Sequence, residues 1–245
     1  MTAPEPHAAA PSLLSFDPGG IAVVFGATGG IGAALLAALE RAGHFRHVIG
    51  YGRRGKPSFD LTDETSIARA VAEAAALGEI RLAIDATGFL HGAGTRPEKT
   101  WAELDAARLA HAFAVNAIGP ALLMKYLLPR LPRTGKSVFA TLSARVGSIG
   151  DNRLGGWYAY RASKAALNQF VRTASIELAR RAPAAACVAL HPGTVATGLS
   201  APFVRPGRDV HAPDEAARHL LSVIDGLDVA ATGRFFDWRG DPVPW

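Results

Sequence analysis

The stretch VVFGATGGIGAALL, residues 23–36, places Gly26, Gly30 and Gly32 between an apolar run typical of a buried strand and an apolar run typical of a helix. Glycines at such a junction allow a tight turn and let backbone N–H groups approach a phosphate at the positive end of the helix. The spacing is GxxxGxG rather than the commoner GxGxxG. Glycine clusters also mark ordinary turns, but the strand before this one and the helix after it favour a dinucleotide-binding turn.

Alternating strands and helices continue along the rest of the chain. The pattern predicts strands at 21–25, 47–52, 57–61, 80–88, 136–143, 186–192 and 233–238, and helices at 31–43, 64–78, 100–114, 114–130, 158–181 and 213–225. This alternation is typical of a parallel sheet covered on both faces. We therefore predict an α/β fold with a single doubly wound parallel sheet over residues 19–245, after a loose Ala- and Pro-rich tail at 1–18.

The composition is that of a globular protein, with 49% hydrophobic and 19% charged residues. The formal charge of +5 comes from arginines scattered along the chain, so a nucleic-acid partner is not expected. No run of about 18–20 apolar residues and no signal peptide stand out, which predicts a cytoplasmic protein without a membrane partner. The single cysteine, Cys187, cannot form an internal disulfide and is interpreted as a buried strand residue rather than a nucleophile.

The second predicted strand ends in YGRRGK, residues 51–56, where Arg53 and Arg54 stand and no carboxylate occurs before Asp60. NAD-binding proteins usually carry an acid about 20 residues after the glycine turn to hold the ribose 2′-hydroxyl. Two guanidinium groups instead suit a 2′-phosphate, through charge-assisted hydrogen bonds. NADP(H) is therefore favoured over NAD(H), with a solvated basic loop as the alternative.

The segment WYAYRASKAALN, residues 157–168, contains a tyrosine and a lysine at helical spacing. A helix brings residues four apart onto one face, so Tyr160 and Lys164 lie one turn apart, whereas Tyr158 has Ala162 at that distance. A nearby ammonium group favours the phenolate and lowers the tyrosine pKa. The pair is interpreted as a tuned general acid/base, and the alternative is an amphipathic helix with a Tyr at its edge and a surface Lys.

These motifs occur in an order that resembles the short-chain dehydrogenase/reductase family over nearly the whole chain, from about residue 20 to the end. The order is a GxxxGxG turn, the VN of Asn116, a Ser-bearing strand end, YxxxK, and the PG of Pro192 and Gly193 after the next strand. More narrowly, the segments at 143–168 and 233–245 are similar to the C-factor-like branch of that family.

The resemblance implies an NADP-dependent oxidoreductase that converts a small ketone or aldehyde to an alcohol by hydride transfer. Tyr160 would be the catalytic acid/base, and Lys164 would lower its pKa and hold the nicotinamide ribose. Asn116 would hold a water in a proton relay to that lysine; the alternative for Asn116 is a local backbone bond within its helix. The competing function is a dinucleotide-binding signalling or sensor protein of the C-factor type with little turnover.

The resemblance also implies cofactor contacts at the glycine turn, at the next strand ends and in the loop HPGTVATG. The residues are Gly26, Thr28, Gly29, Gly30, Ile31, Gly32, Arg53, Arg54, Asp60, Leu61, Gly88, Tyr160, Lys164, Pro192, Gly193, Val195 and Thr197. Asp60 would contact the adenine, although a helix-capping acid is an equal alternative, and Thr197 alone could be an ordinary cap.

Two departures from the family pattern stand out. The family's substrate-orienting serine position, three before Gly147, holds Ala144, so either Ser143 or Ser148 would have to polarise the carbonyl, and Ser143 is favoured because it ends a strand. The segment IDATG at 84–88 replaces the family's NNAG, removing an amide that supports the central strand.

The remaining expectations concern the lid, the metal content and the assembly. Residues 198–215, with Arg205 and Arg208, are expected to form a mobile substrate lid. His191 is interpreted as a packed strand-end histidine, and no cluster with metal-ligand spacing is evident. By resemblance, a homodimer or homotetramer would form through the helices at about 100–130 and 158–181.

Overall fold

The computed structural model describes residues 12–55, 58–92, 94, 96–203 and 209–245. Its centre is a six-stranded parallel sheet with the strand order β2-β1-β3-β4-β5-β6. The strands are β1 (Ile21–Phe25), β2 (His47–Tyr51), β3 (Ile80–Asp85), β4 (Ser137–Leu142), β5 (Ala185–His191) and β6 (Phe235–Asp237). Strands buried on both faces explain the nearly continuous apolar runs seen in the sequence.

Helices cover both faces of the sheet, which confirms the predicted doubly wound α/β fold. They are α1 (Gly30–Ala42), α2 (Glu64–Ala76), α3 (Ala106–Phe113), α4 (Gly119–Leu127), α5 (Tyr158–Arg181) and α6 (Pro213–Gly226). Leu35 and Leu39 of α1 share one core cluster with Leu220 of α6, while Leu123 of α4 and Leu167 of α5 belong to the core on the other face.

The direction of winding reverses at β1. This strand pairs with β2 on one side and with β3 on the other, so the segments that follow β1 and β3 diverge from the carboxyl edge of the sheet. A crevice at such a reversal is where open α/β sheets bind their ligands. The glycine turn after β1 and Gly88 after β3 both lie there.

The strand predicted at 57–61 does not form. Pro57 lies outside the described residues, and 58–61 run as irregular backbone and a turn. Asp60 Oδ1 accepts hydrogen bonds from the N–H and hydroxyl of Thr62, which bends the chain where a strand would have to continue. The apolar residues that suggested a strand, Phe59 and Leu61, are buried against the core instead.

The two helices predicted at 100–114 and 114–130 are one helical run, Ala106–Arg130, preceded by a short 3₁₀ turn at Trp101–Glu103. Asp105 caps its first turn by accepting from Arg108 N–H at 2.9 Å. At Ala114–Ile118 the helix widens into a π turn, a local irregularity that is frequent at functional sites.

The run Ala106–Arg130 is long and apolar enough to cross a bilayer by length and composition, with a mean hydropathy of 1.3 in its most apolar window. In the fold its side chains Leu123, Met124 and Leu127 belong to the core. Core helices of globular domains pass the same composition test, so the feature is accounted for by packing against the sheet.

The prediction of a loose tail over 1–18 is wrong for its described part. Leu13 and Phe16 are 0% and 3% exposed, and the Phe16 ring lies 5.6 Å from that of Phe45. Burial of these two apolar side chains holds the segment against the core despite its Ala- and Pro-rich composition. Residues 1–11 lie outside the described residues.

Candidate active site

The glycine turn is shaped by backbone contacts that exclude side chains. Gly26 has a φ of +82°, and a Cβ on it would lie 2.9 Å from the carbonyl carbon of Ala86. A Cβ on Gly32 would lie 2.2 Å from the carbonyl oxygen of Gly26. The close approach of β1, β3 and the first turn of α1 therefore requires glycine at both positions.

The amino end of α1 is open to solvent. Its N-cap, Gly29, supplies no side-chain cap, and Thr28, Gly29 and Gly30 are exposed while Ile31 is half-buried. The N–H groups of a helix's first turn lack intrahelical partners and carry partial positive charge. This end of the helix is suited to bind an anionic group.

The loop after β5 reaches the same turn. A Cβ on Gly30 would lie 2.6 Å from Cγ2 of Thr197, which joins the predicted loop residues to the glycine turn. Within that loop Gly193 has a φ of +79°, Pro192 is half-buried, and Val195 is buried and bridges to His211. Thr197 lies beside α1 rather than acting as an isolated cap.

Arg53 and Arg54 are exposed just past the end of β2. They adjoin the glycine turn, because a Cβ on the neighbouring Gly52 would lie 2.6 Å from the hydroxyl oxygen of Thr28. The pKa of Asp60 is lowered by its hydrogen bonds from Thr62 and further by the charge of Arg53. The helix-capping alternative for Asp60 is wrong, since Asp63 caps α2 by accepting from Thr65 N–H.

Tyr160 and Lys164 lie one turn apart near the start of α5, as predicted. Lys164 is buried, so the surface-lysine alternative is wrong. Its Nζ donates a hydrogen bond to the carbonyl oxygen of Leu142 at 2.7 Å. Burial lowers the pKa of Lys164 to about 8, against the charge of Asp85, which raises it.

The expected lowering of the Tyr160 pKa is wrong for this structure. Burial raises the pKa of Tyr160 to about 12, because the phenolate would lose its hydration. Tyr160 therefore keeps its proton at neutral pH.

Asp85 is a site residue that sequence reasoning missed. Its carboxylate is buried at the end of β3 and accepts hydrogen bonds from the N–H and hydroxyl of Thr87 and from the hydroxyl of Thr141 on β4. Burial raises the pKa of Asp85, while these donors and the charge of Lys164 oppose the rise. Donors on both oxygens suit an ionised carboxylate, which replaces the expected amide in joining the central strands.

Asn116 lies in the π turn and is completely buried. Its amide exchanges two hydrogen bonds of 2.8 Å with the backbone of Phe89, and its Nδ2 donates to Ser163 Oγ at 3.1 Å. The alternative of a local bond within its own helix is therefore wrong. A Cβ on Gly88 would lie 3.7 Å from Asn116 Oδ1 and 3.8 Å from Lys164 Nζ, so these three residues meet at the crevice.

The two candidate serines are both engaged inside the protein. Ser143 is 3% exposed, and its hydroxyl donates to Asn168 Oδ1 at 2.6 Å. Ser148 is 1% exposed, and its hydroxyl accepts from the N–H of Asp151. Ser143 directly follows β4, as predicted, and its hydroxyl joins that strand end to α5, so it would have to leave Asn168 to orient a substrate.

Aromatic side chains line the space beside Tyr160. The Trp157 ring centre lies 6.3 Å from that of Tyr160 and 5.1 Å from that of Phe203, and Phe203 contacts His91. Trp157 has a φ of 54°, a conformation that costs a non-glycine residue about 1–3 kcal/mol. The hydrogen bond from its N–H to the carbonyl oxygen of Glu98 helps to hold it there.

The other residues singled out from the sequence fall beyond this crevice or outside the described residues. Cys187 is fully buried in β5, as predicted. His191 ends β5, and burial lowers its pKa to about 4, which agrees with a packed neutral histidine. Arg205 and Arg208 of the expected lid lie outside the described residues.

A parallel Rossmann-type sheet with a glycine turn, a buried Asn and a Tyr–Lys pair defines a dinucleotide-binding α/β protein. The family model described as enoyl-(acyl carrier protein) reductase matches residues 26–236. The chain belongs to the short-chain dehydrogenase/reductase family of oxidoreductases.

Individual relatives place the chain more narrowly. It is 42% identical over 143 residues to the C-signal of Myxococcus xanthus, covering 58% of this chain and 82% of that protein. It is 34% identical over 191 residues to 1-hydroxy-2-glutathionyl-2-methyl-3-butene dehydrogenase of Rhodococcus sp. strain AD45, covering 78% and 80%. The structure resembles the NADPH-bound carbonyl reductase from chicken fatty liver with a TM-score of 0.80 and 25% identity, covering 93% of this chain and 94% of that one.

Proposed function

We propose that this protein reduces a ketone or aldehyde to an alcohol with NADPH, and that Tyr160 supplies the proton. The observation that carries the proposal is the grouping of Lys164 Nζ and Asn116 Oδ1 around Gly88, on the crevice side of the helix that also bears Tyr160. A proton donor and a buried cation in one crevice are the parts that carbonyl reduction needs.

NADPH fits the residues at the other end of the crevice. The pyrophosphate suits the exposed helix start at Thr28, Gly29 and Gly30, where a side chain on the underlying glycines would collide with backbone. Arg53, with Arg54 beside it, would bind the 2′-phosphate. When bound, the dinucleotide supplies the hydride. The NADPH in the chicken carbonyl reductase supports this choice.

The chain's own groups would handle the proton. Since its pKa of about 12 keeps Tyr160 protonated at neutral pH, its hydroxyl can donate to the carbonyl oxygen as negative charge develops there. Lys164, with a pKa of about 8, stays largely cationic and would stabilise the tyrosinate left behind. Asn116 would position the relay that returns a proton to Lys164.

The aromatic side chains beside Tyr160 support an apolar substrate. Trp157 and Phe203 offer ring faces and edges beside Tyr160, and such surfaces favour aliphatic or aromatic groups next to the carbonyl. We further propose a cytoplasmic homodimer or homotetramer. The support for self-association is the groove of about 460 Å³ between α4 and α5, where Phe170 is 41% exposed.

A second candidate function is a dinucleotide-binding signalling protein with little turnover. The relative named C-signal and the absence of a hydroxyl at Ala144 favour it. In that case the protein would bind NADPH, and the Tyr–Lys pair would not be needed for its action.

The test is carbonyl-dependent oxidation of NADPH over a panel of apolar aldehydes and ketones, with wild type, Tyr160→Phe and the matched control Tyr158→Phe. We expect kcat to fall by about a thousandfold in Tyr160→Phe, with the NADPH Kd unchanged and Tyr158→Phe close to wild type. NADPH binding without turnover in any variant would favour the signalling function. Equal turnover in wild type and Tyr160→Phe would overturn the role of Tyr160.

A further inference from the structure

A histidine and a glutamate on α6 meet a second histidine that precedes the helix. Glu215 and His219 are four residues apart on α6, and His211 lies two residues before the helix begins. One potential ligand atom from each residue lies within 4.8 Å of the other two. His211 Nδ1 and Glu215 Oε1 are 3.2 Å apart.

The Trp238 ring packs against both histidines of the cluster, and one histidine nitrogen is buried without a hydrogen-bond partner among the described residues. The Trp238 ring centre lies 4.4 Å from that of His211 and 4.8 Å from that of His219. His219 Nδ1 is buried and has no hydrogen-bond partner among the residues that the structure describes. Buried polar atoms in proteins are nearly always paired with protein, water or an ion, so a bound water or ion would satisfy this nitrogen.

We propose that His211, Glu215 and His219 form a binding site for one Zn²⁺ ion next to the loop after β5. Two imidazoles and one carboxylate are a donor set that Zn²⁺ prefers. Ligands about 2.0–2.1 Å from a tetrahedral ion lie about 3.3 Å from one another. His211 and Glu215 already have that separation, and side-chain rotation would bring in the third ligand.

The site would fasten three segments of the fold together. His211 pairs through its backbone with Thr194 and Ala196 in the loop after β5. A Cβ on Gly193 of that loop would lie 2.9 Å from the His211 ring and 3.0 Å from the Trp238 ring. An ion held by His211 and α6 would therefore stiffen the loop that also reaches the glycine turn, without touching Tyr160 or Lys164.

The expectation that no cluster with metal-ligand spacing occurs is wrong, because these three residues lie close enough to hold one ion. HxxxExxxH, residues 211–219, puts one ligand per turn along α6 and its entry. The same residues without an ion would form a His–Glu pair capped by Trp238, and zinc titration separates the two accounts.

The test uses the full chain, freed of any tag and treated with a chelator, titrated with ZnCl2 by calorimetry. We expect one Zn²⁺ per chain in wild type and in the control His47→Ala, whose histidine is exposed and distant in sequence. Binding should be lost in His219→Ala and in Glu215→Gln, with folding checked by circular dichroism. Glu215→Gln keeps the shape of a partly exposed side chain, so it remains informative if His219→Ala does not fold.

A second readout is independent of enzymatic activity. Saturating Zn²⁺ should raise the thermal unfolding midpoint of wild type and of His47→Ala, but not that of Glu215→Gln. No zinc binding by wild type, or binding that persists in Glu215→Gln, would overturn the proposal. Neither outcome bears on the proposed reductase function, which needs no metal.

Discussion

At the end of the crevice formed by β1 and α1, the potential ligand-binding groups face solvent: Thr28, Gly29 and Gly30 are exposed, as is Arg53. At the other end, formed by β4 and α5, Lys164 and Ser143 are buried and bonded to the protein's own atoms. The first end can receive a ligand without rearrangement. At the second end, Lys164 Nζ already donates one of its three hydrogens to the Leu142 carbonyl oxygen, so a ligand there has to reach a buried ammonium group through the two remaining donors.

The largest effect at the open end of the crevice, the exposed end formed by β1 and α1, is expected from adding a side chain inside the glycine turn. In Gly32→Ala the new Cβ would lie 2.2 Å from the Gly26 carbonyl oxygen, so the turn must move, at a cost on the scale of overpacking. We expect NADPH binding to weaken by about a hundredfold, measured by fluorescence titration.

The control is Gly226→Ala, at the end of α6, where a Cβ would meet nothing within 4 Å. It should bind NADPH as wild type does. Unchanged binding by Gly32→Ala would mean that the turn does not form the cofactor site.

The closed end of the crevice, the buried end formed by β4 and α5, predicts that catalysis depends on pH. Because the pKa of Lys164 is lowered to about 8 by burial, the lysine loses its charge as pH rises through that value. We expect kcat/KM for carbonyl reduction to be about tenfold lower at pH 9 than at pH 7.

Asp85→Asn sharpens the same prediction. The charge of Asp85 raises the pKa of Lys164, so removing it should move the midpoint of the pH profile to lower pH. A midpoint that moves upward, or a profile that stays flat through pH 9, would contradict the assigned coupling.

The smallest catalytic effect is expected at Ser143. Since its hydroxyl bonds to Asn168, Ser143→Ala should lower stability by about 1–3 kcal/mol, the cost of leaving a buried polar group unpaired. Its kcat should change only a few-fold.

Ala144→Ser, which restores the family's hydroxyl, should raise kcat instead. Urea unfolding and steady-state kinetics check both variants together. A loss of kcat without a loss of stability in Ser143→Ala would return the substrate-orienting role to Ser143.

The open end was predictable from sequence because its constraints are local. Gly32 is required by backbone atoms of Gly26 and Ala27 a few residues away, and Gly26 by its own positive φ, although its contacts with Ala86 and Thr87 are distant in sequence. The general order of strands and helices followed from apolar periodicity for the same reason. The buried Cys187 followed from its apolar neighbours.

The closed end was less predictable because its contacts join residues distant in sequence. Asp85 bonds to Thr141, and Asn116 bonds to Phe89 and Ser163. The π turn around Asn116 widens the helix without interrupting its apolar pattern, so the sequence pattern does not reveal it. The strand predicted at 57–61 does not form, because Phe59 and Leu61 are apolar residues that pack on the core without pairing in the sheet.

The central claim is that the glycine turn and Arg53 form a ready-made NADPH site. The most direct test is a calorimetric titration of wild type and Arg53→Asp with NADPH and with NADH. The account predicts tighter binding of NADPH than of NADH by wild type, and loss of that preference in Arg53→Asp because a carboxylate repels the 2′-phosphate. Failure of wild type to bind either dinucleotide would contradict the account, and so would an unchanged preference in the variant.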